Sequence, residues 1–431
     1  MATKYKDSGI PWMPTIPDKW DVQRGKNILV LNKRPVRESD EVVTCFRNGE
    51  VVLRSERRTD GFTMSDKEIG YQGINKGDIV IHGMDGFAGS MGVSKSTGKG
   101  SPVLVVCSPK YDAVSQFIIY YLRTLAMTNV FVALSTGIRE RSCDLRWNKI
   151  AELQFALPSA TEQQRIADFL DRKCAEIDKL AALQETMIEE LKRYKQSLIT
   201  ETVTKGLDPH VPMKDSGVEW IGKIPEGWEM CRVKNYCSLH GRIGWNGLRS
   251  DEFEEDSYAY LVTGQDFNAS EINWHKCYQI RKERYDEDEF IQLKEGDILV
   301  TKDGTIGKIA VVTRMDKPAC LNSGIFVMRQ LQCKWNPKFL YWFLASPLLI
   351  LFNNYINLGG TTIIHLYQNV FERMPMLIPP LAEQQQIADY LDRKCAEIDE
   401  LIAIKQQKIE ALKEYKKSVI FEYVTGKKEI I

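Results

Sequence analysis

Residues 162–178 read EQQRIADFLDRKCAEID, and residues 383–399 read EQQQIADYLDRKCAEID. The two segments are separated by a shift of 221 residues and differ at two of 17 positions, which are Arg165 against Gln386 and Phe169 against Tyr390. Near-identity of this kind inside one chain indicates a duplication. The sequence therefore predicts two equivalent structural elements around which the rest of the chain is organised.

A second repeat stands at the start of the chain. Residues 6–20, KDSGIPWMPTIPDKW, align with residues 214–228, KDSGVEWIGKIPEGW, at a shift of 208. Each repeat unit thus has an opening segment, a head of its own sequence, and one copy of the duplicated stretch. We predict four parts, which are a first head at 1–157, a first helix at 158–205, a second head at 206–378 and a second helix at 379–431.

The duplicated stretches are predicted to be long helices. Neither 161–205 nor 381–425 contains Gly or Pro, and apolar residues recur in alternating steps of three and four. The apolar stripe of the first copy includes Leu180 and Met187, and polar Gln184 interrupts it. Ser159 and Glu162 form a capping-box pattern at the start of the first helix, and a glycine follows the end of each helix.

The lengths of these parts predict the direction of the helices. A helix of ~44 residues is ~66 Å long, whereas a head of this size is ~40 Å across. The second head connects the end of the first helix to the start of the second, so these two termini should be neighbours. We therefore expect antiparallel helices and an approximate internal twofold axis. The opening segment should then lie near the end of the second helix.

The heads are predicted to be mixed and rich in strands, which makes the fold class α+β. GDIVI at 77–81 and GDILV at 296–300 are short apolar runs after a Gly-Asp turn, and each is followed by a glycine loop. Residues 115–127 and 338–352 are predicted helices. Apart from these points, the two heads have little sequence in common.

Composition excludes several classes of protein. The chain has no net charge, with +5 on residues 1–157 and −3 on residues 206–378, so any nucleic-acid surface must be local. It has no apolar run of the ~18 residues that a membrane span needs, and its N-terminus lacks an apolar signal core. The ten cysteines form no CxxC pair. We expect a cytoplasmic protein with reduced cysteines and no metal site.

Catalytic motifs are also missing. The sequence has neither a GxGxxG that opens a helix nor a GxxxxGK[ST] loop, and the five histidines show no metal-ligand spacing. No nucleophile-elbow motif is present, although a Ser-His-Asp arrangement remains open. We predict no catalytic residue and no cofactor bound by this chain.

The motifs together resemble the specificity subunit of Type I restriction–modification systems. The matching residues are the KDSG segment with its Ile-Pro and Trp, the GDI strand, and the proline-flanked EQQ.IAD helix, in the same order along essentially the whole chain. The resemblance implies that each head is a target recognition domain for one half of a split DNA site. It implies that the helices form an antiparallel coiled coil, fix the gap between half-sites and dock two methyltransferase subunits. It also implies that S-adenosylmethionine, ATP and Mg²⁺ belong to the methyltransferase and restriction subunits.

Base reading requires polar and basic side chains on exposed loops. The candidates in the first head are Arg54, Arg57, Arg58, Lys95, Lys99, Arg139 and Arg141. The candidates in the second head are Arg242, Arg249, Lys302, Thr361, Thr362 and His365. Four apolar residues lie off the main helical stripe and are candidates for partner binding, namely Phe169, Ile188, Tyr390 and Ile409.

Two other functions remain open at this point. The chain could be a standalone restriction or modification enzyme that uses the same DNA-reading heads. It could instead be a coiled-coil adaptor that binds only proteins. A helix of ~66 Å equals about two turns of B-DNA, which favours a spacer between two DNA-reading heads.

Overall fold

The computed structural model describes residues 4–57, 69–134, 145–242, 248, 252–268, 270–356 and 365–430. The chain divides into two compact units. The first unit comprises Met1–Glu185 and Gln406–Ile431, and the second comprises Thr186–Lys405. Each unit contains one head together with a part of each duplicated stretch.

The first head consists of short strands and helices. Its described strands are Tyr5–Ile10, Met13–Pro17, Asp21–Arg24, Leu29–Leu31, Val43–Cys45, Val51–Leu53, Gln72–Ile74, Ile79–His82, Met91–Val93, Gly98–Gly100, Leu104–Pro109 and Gln154–Leu157. Its described α-helices are Gly25–Ile28, Ser115–Met127, Val130–Ala133 and Trp147–Glu152, with 3₁₀ turns at Arg54–Glu56 and Gly86–Ala88.

Four strands form the central antiparallel sheet of the first head. Their order across the sheet is Leu29–Leu31, Leu104–Pro109, Ile79–His82 and Met91–Val93. The predicted GDIVI run supplies an inner strand, and Ile79 and Ile81 are fully buried there. Apolar residues of the helix Ser115–Met127, which occupies its predicted range, belong to the same core. Burial on both faces explains why the run is continuously apolar.

The second head has a similar set of elements. Its described strands are Met213–Asp215, Lys223–Pro225, Glu229–Arg232, Cys237–His240, Ala259–Val262, Phe267–Asn268, Glu271–Ile272, Tyr278–Ile280, Ile298–Thr301, Ile309–Val311, Ala319–Leu321, Ile325–Gln330 and Pro375–Ile378. Its described α-helices are Val233–Tyr236, Lys282–Asp286, Pro337–Ala345, Leu348–Ile356 and Gln368–Phe371, with 3₁₀ turns at Trp274–Lys276 and Glu289–Ile291.

The central sheet of the second head repeats the strand order of the first. The order is Cys237–His240, Ile325–Gln330, Ile298–Thr301 and Ile309–Val311, and every neighbouring pair is antiparallel. The second head adds a sheet in which Ala259–Val262 lies between two further strands, with a separate core. The two heads therefore share a framework that their sequences barely reveal.

The predicted helix at 338–352 is wrong in one respect, because it is two helices. Pro337–Ala345 and Leu348–Ile356 meet at a bend of 53°. Pro347 lies at the junction, and its ring clashes with the preceding turn while its nitrogen donates no hydrogen bond. No single helix among the described residues is long and apolar enough to span a membrane. This bent pair reaches the required length and composition only when its two helices are combined, and most of its apolar side chains lie in the second head's core.

The two long helices span Ala160–Lys205 and Leu381–Val424. Each ends before a glycine in the left-handed region, with φ of +77° at Gly206 and +70° at Gly426. That conformation costs a side-chain-bearing residue about 1 kcal/mol or more, so glycine is the natural helix terminator. The prediction that a glycine follows the end of each helix is confirmed, although the second helix, predicted over 379–431, spans Leu381–Val424.

The first helix is fastened to the first head by the repeated EQQ motif. The indole nitrogen of Trp20 donates to Glu162 Oε1 over 3.2 Å. The predicted capping box is therefore only half formed, because the Ser159 hydroxyl does accept from the Glu162 amide, at 3.3 Å, while the Glu162 carboxylate accepts from Trp20. Buried Gln163 accepts from the Val114 amide at 2.9 Å and donates to the Pro158 carbonyl at 2.9 Å.

The second helix is fastened to the second head by the same residues of the repeat. The indole of Trp228 donates to Glu383 Oε2 over 2.9 Å. Gln384 is fully buried, and its side-chain oxygen accepts from the Asn336 amide at 2.8 Å. Its nitrogen donates to the carbonyls of Lys334 at 2.9 Å and of Pro379 at 2.7 Å. The motif thus connects each helix to its own head.

A later aspartate of the repeat makes a further matching contact. Asp171 accepts from the Tyr120 hydroxyl at 2.7 Å, and Asp392 accepts from the Trp342 indole at 2.8 Å. The side chains that donate differ, but each lies on the head's helix next to the sheet. These contacts give a structural role to three of the positions that are identical in the two copies, namely Glu162/Glu383, Gln163/Gln384 and Asp171/Asp392.

Within each unit the two long helices run antiparallel. In the first unit the ring of Phe169 packs against that of Tyr423 at a tilt of 45°, with ring centroids 4.5 Å apart, and Asp178 pairs with Lys416 at 2.6 Å. In the second unit the equivalent pair, Lys195 with Asp399, is also 2.6 Å apart.

The opening segment lies where the sequence predicts it. The Tyr5 hydroxyl donates to the Gly426 carbonyl over 3.1 Å, within the first unit. The N-terminal strands therefore contact the end of the second long helix.

The predicted phase of the helical stripe needs a correction. Leu180 and Met187, which we placed on the stripe, are 48% and 37% exposed. Gln184, which we took as an interruption, is buried at 7%, as are Ile188 and Ile409 at 6% and 2%. The first part of the predicted stripe is confirmed in both copies, since Ile166, Leu170 and Ile177 and their repeat equivalents Ile387, Leu391 and Ile398 are buried. Beyond it the buried residues lie beside the predicted line, because a helix with apolar residues at several phases does not reveal which phase is covered.

Candidate nucleic-acid interface

A tight turn in the first head lies beside the best-defined group of candidate residues. Strands Val43–Cys45 and Val51–Leu53 form a hairpin. Its turn is closed by the Phe46 amide, which donates to the Glu50 carbonyl at 2.9 Å, and by the Gly49 amide, which donates to the Phe46 carbonyl at 2.9 Å. Gly49 has a φ of +93°. The turn therefore depends on a residue without a side chain at this position.

Glu50 brings two predicted DNA-binding residues together. Arg57 Nη1 lies 2.7 Å from Glu50 Oε2, and Lys95 Nζ lies 3.9 Å from Glu50 Oε1. Both basic side chains are exposed, at 38% and 69%. The Arg57 guanidinium also lies over the Phe46 ring, 4.2 Å from its centroid.

The charge on Glu50 is stabilised by its surroundings. A hydrogen bond from Asn48 holds the pKa of the Glu50 carboxyl below its ordinary value, and the charges of Arg57 and Lys95 act in the same direction. Glu50 is therefore ionised at neutral pH and partly neutralises the two cations beside it.

Two further candidates lie on neighbouring strands. Arg54 Nε donates to the Thr44 hydroxyl at 3.2 Å across the hairpin. Lys99 lies in the strand Gly98–Gly100, and its amide donates to the Glu41 carbonyl at 2.8 Å. The structure thus places Arg54, Arg57, Lys95 and Lys99 on one group of adjacent strands and turns. Candidates Arg58, Arg139 and Arg141 lie outside the described residues.

Arg123 is a further basic residue beside this turn that was not among the sequence candidates. This residue lies in the helix Ser115–Met127, and its Nη1 would be 1.5 Å from a Cβ atom built on Gly49. Among the described residues, no hydrogen bond or close ion pair to Arg123 is found. Burial lowers the pKa of its guanidinium, although arginine stays protonated at neutral pH. The signal available in the sequence was a single charged residue in a largely apolar helix.

In the second head, the glycine loop that follows the strand Ile298–Thr301 contacts the segment that contains His365 and Leu366. His365 Nδ1 lies 2.6 Å from Asp303 Oδ1, and both side chains are exposed. The Leu366 amide donates to the Lys302 carbonyl at 3.0 Å, which holds the two segments together. Lys302 Nζ lies 4.8 Å from the centroid of the Phe326 ring. Lys302 and His365, predicted independently, thus belong to one surface.

The prediction that Arg242 contacts DNA is wrong, because this residue is not on the surface. Only 2% of the residue is exposed, and its Nε donates to the Leu321 carbonyl at 3.0 Å. Its Nη1 lies 4.0 Å from Glu287. A buried guanidinium with such contacts stabilises the head and does not reach a base. Candidates Arg249, Thr361 and Thr362 lie outside the described residues.

The candidate partner-binding residues divide into two groups. Phe169 and Tyr390 are half-buried and pack against the cores of their own units. Ile188 and Ile409 are buried, as described above, so the prediction that they face a partner is wrong.

A set of exposed apolar residues on the long helices was missed. The first unit exposes Leu180, Leu183 and Tyr415, and the second exposes their repeat equivalents, Leu401, Ile404 and Tyr194. Each is between 48% and 57% exposed. A single exposed leucine is ordinary, but the same three positions are exposed and apolar in both units. We call these residues the repeated apolar trio.

Among the described residues, no group of three or more His, Cys, Asp or Glu side chains is arranged to hold a metal ion.

Comparisons with known proteins agree on one family. Residues 225–414 match the family model described as Type I restriction modification DNA specificity domain. The chain is 26% identical over 430 residues to the Type I restriction enzyme MjaVIII specificity subunit of Methanocaldococcus jannaschii, covering 96% of this chain and 93% of that protein. It is 23% identical over 432 residues to the putative MjaX specificity subunit of the same organism, covering 96% and 94%.

Solved structures show the same fold. A chain from a structure of the Type I R-M system, described in terms of complex assembly and conformational transition, superposes with a TM-score of 0.72 at 15% identity and covers 95% of this chain and 98% of its own. The HsdS subunit from Thermoanaerobacter tengcongensis superposes with a TM-score of 0.56 at 14% identity, with the same coverage. These likenesses support an α+β fold over nearly the whole chain.

Proposed function

Because the chain belongs to the specificity-subunit family of Type I restriction–modification systems, we propose that it selects the DNA site of such a complex without catalysing a reaction itself. Each head reads one half of a bipartite site in double-stranded DNA. Two methyltransferase subunits bind the chain, and restriction subunits join through that complex. S-adenosylmethionine, ATP and Mg²⁺ act in those partner subunits.

One observation carries this proposal. Both heads use the same four-strand order and are fastened to their helices by the same Glu and Gln, yet their loops differ. Shared frameworks with different loops suit two readers of two different half-sites, since sequence is read by loop side chains while the framework only positions them.

We propose that the long helices form an antiparallel coiled coil with approximate internal twofold symmetry. The ion pairs of Asp178 with Lys416 and of Asp399 with Lys195 support this, because they join equivalent residues of the repeat. The helices then connect a first target recognition domain at 1–157 to a second at 206–378. Their fixed length sets the nonspecific spacer between the half-sites.

The repeated apolar trio is the surface we propose for methyltransferase docking. It occurs once in each unit at equivalent positions, which suits two copies of one partner. Burying a leucine side chain contributes about 1.5–3 kcal/mol, so three such residues supply a substantial part of a protein–protein contact.

A mobility-shift experiment with a randomised duplex pool tests the DNA function. We expect sequence-selective retention by this chain together with its methyltransferase subunits. Cleavage or methylation by the chain alone would point instead to a standalone enzyme. If DNA is unaffected both by the chain alone and by the chain with its methyltransferase subunits, the proposal is refuted. The alternative that remains is a coiled-coil adaptor that binds only proteins.

A pair of substitutions tests the docking surface. We expect Leu401→Glu with Ile404→Glu to abolish co-purification of one methyltransferase copy while the melting temperature stays within a few degrees. Ala403→Glu is the matched control, since this exposed residue lies between the two on the same helix. Equal loss in the control and the test variant would show that added charge, and not the apolar surface, matters.

A further inference from the structure

Arg57 is held in place from three sides. Its Nη1 donates to the Asn48 side-chain oxygen at 3.0 Å and lies 2.7 Å from Glu50 Oε2. Its guanidinium stacks on the Phe46 ring. The supporting residues all belong to one short turn whose backbone is itself hydrogen-bonded. An exposed arginine normally samples many rotamers, so this arrangement fixes a side chain that would otherwise be mobile.

One edge of the guanidinium remains available. Among the described residues, neither Nε nor Nη2 of Arg57 donates a hydrogen bond. These two nitrogens form a planar pair of donors, and the side chain is 38% exposed. A planar pair of this kind fits two acceptors in one plane, such as the O6 and N7 atoms of guanine or two phosphate oxygens.

The charge of Glu50 distinguishes these two ligands. Phosphate is attracted mainly by net positive charge, and Glu50 neutralises much of the charge of Arg57. Guanine carries no charge, so it is read by the geometry of the donors, which Glu50, Asn48 and Phe46 fix. Lys95 fits the phosphate role better, because its ammonium is 3.9 Å from Glu50 and 69% exposed.

On the basis of the proposed function, we propose that Arg57 reads one guanine in the half-site of the first head. Glu50, Asn48 and Phe46 act as positioning residues that hold its free edge toward the base. Lys95 contacts the adjacent phosphate.

The test uses the full chain in complex with its methyltransferase subunits and a randomised duplex pool, from which bound sequences are selected and read. Arg57→Lys removes the planar donor pair but keeps the charge. We expect one guanine position in one half-site to lose about 5- to 140-fold in discrimination, the equivalent of the ~1–3 kcal/mol that a bidentate pair contributes. Glu50→Gln should relax the same position to a smaller extent, while the other half-site stays unchanged.

Two controls separate base reading from general attraction. Lys95→Gln should weaken binding to all sequences equally, reduce the slope of log affinity against log salt by about 1, and leave the selected motif intact. Arg314→Gln, which removes an exposed arginine paired with Glu271 in the second head, should change neither motif nor salt slope.

The outcomes distinguish the inference from the function on which it rests. A wild-type complex that selects no motif would overturn the proposed function and the inference with it. A wild-type bipartite motif that is unchanged in both the Arg57→Lys and Glu50→Gln variants would overturn the inference alone. A uniform loss of affinity without relaxed specificity in Arg57→Lys would assign this residue to phosphate and also overturn it.

Discussion

Replacing Gln384 by leucine should destabilise the second unit strongly, although the residue lies in a long exposed helix. Its side chain is fully buried and satisfies three backbone groups. Leucine fills a similar volume but offers no hydrogen bond. The Asn336 amide and the carbonyls of Lys334 and Pro379 would then lose their partner inside the protein.

The expected magnitude follows from these three groups. A buried donor or acceptor left without a partner costs about 1–3 kcal/mol. Carbonyl oxygens recover part of this through other contacts, and leucine adds apolar contact. We therefore expect a loss of about 2–5 kcal/mol, which is a large fraction of the ~5–15 kcal/mol that stabilises a typical domain.

Urea unfolding combined with hydrogen exchange measures this effect. The unfolding midpoint should fall, and exchange should accelerate around residues 334–345, where Gln384 fastens the head to its helix. Gln386→Leu is the matched control, because the same change on an exposed residue two positions away should alter stability by less than about 0.5 kcal/mol. Equal midpoints for the two variants would refute the claim that the repeated glutamine anchors the head.

Three further predictions follow from single contacts. Lys416→Glu should lower stability by up to ~1 kcal/mol, as expected for a mostly exposed ion pair, and adding Asp178→Lys should restore it in thermal melts at low salt but have little effect at high salt. Gly49→Ala should cost about 1–3 kcal/mol and weaken DNA binding in shift assays, because the residue has a positive φ and its new methyl group would overlap Arg123. Arg242→Met should lower the melting temperature by the equivalent of about 2–4 kcal/mol while the salt dependence of DNA binding stays the same, since a buried arginine contributes to stability and not to phosphate contacts.

The architecture could be predicted because it rests on strong periodic signals. The absence of Gly and Pro over more than 40 residues, followed by a glycine, determines a long helix that tertiary contacts do not override. GDIVI could be predicted as a buried strand because it is short, rich in β-branched residues and opened by a Gly-Asp turn. Pro347 was a readable signal in the sequence for a break in the helix predicted at 338–352, which the structure divides into two helices.

The phase of the long helices could be predicted over their first part but not from Leu180 and Leu401 onward, for a physical reason. Leu180 and Ile188 are both apolar, and a helix exposes one or the other according to what packs against it. The sequence of one helix does not contain that information. The buried Gln184 adds to the ambiguity, because a polar residue at a covered position appears as an interruption of the stripe.

The candidate site was only partly predictable, because loop residues act through tertiary contacts. Arg57 was identified by type and by its place in a polar loop. Its support from Phe46 and Glu50 depends on how the turn folds back, which no periodic pattern reports. Arg242 shows the converse, since a basic residue in a polar stretch is buried by strands that are distant in sequence.

The two copies of the repeat are nearly identical in the long helices and differ in the heads. The energetics of these contacts explain this pattern. The side chains of Gln163 and Gln384 are buried and make directional hydrogen bonds to backbone groups. Nearly every substitution would therefore leave those backbone groups without partners. The side chains of Arg57 and Lys95 are exposed beside a turn whose backbone closes through its own hydrogen bonds, and replacing them costs the fold little. After a duplication, the anchoring residues therefore have little freedom to change, whereas the loop residues are free to diverge. Under the proposed function, a chain built in this way can acquire a new DNA preference in one head without disturbing the helices that hold it.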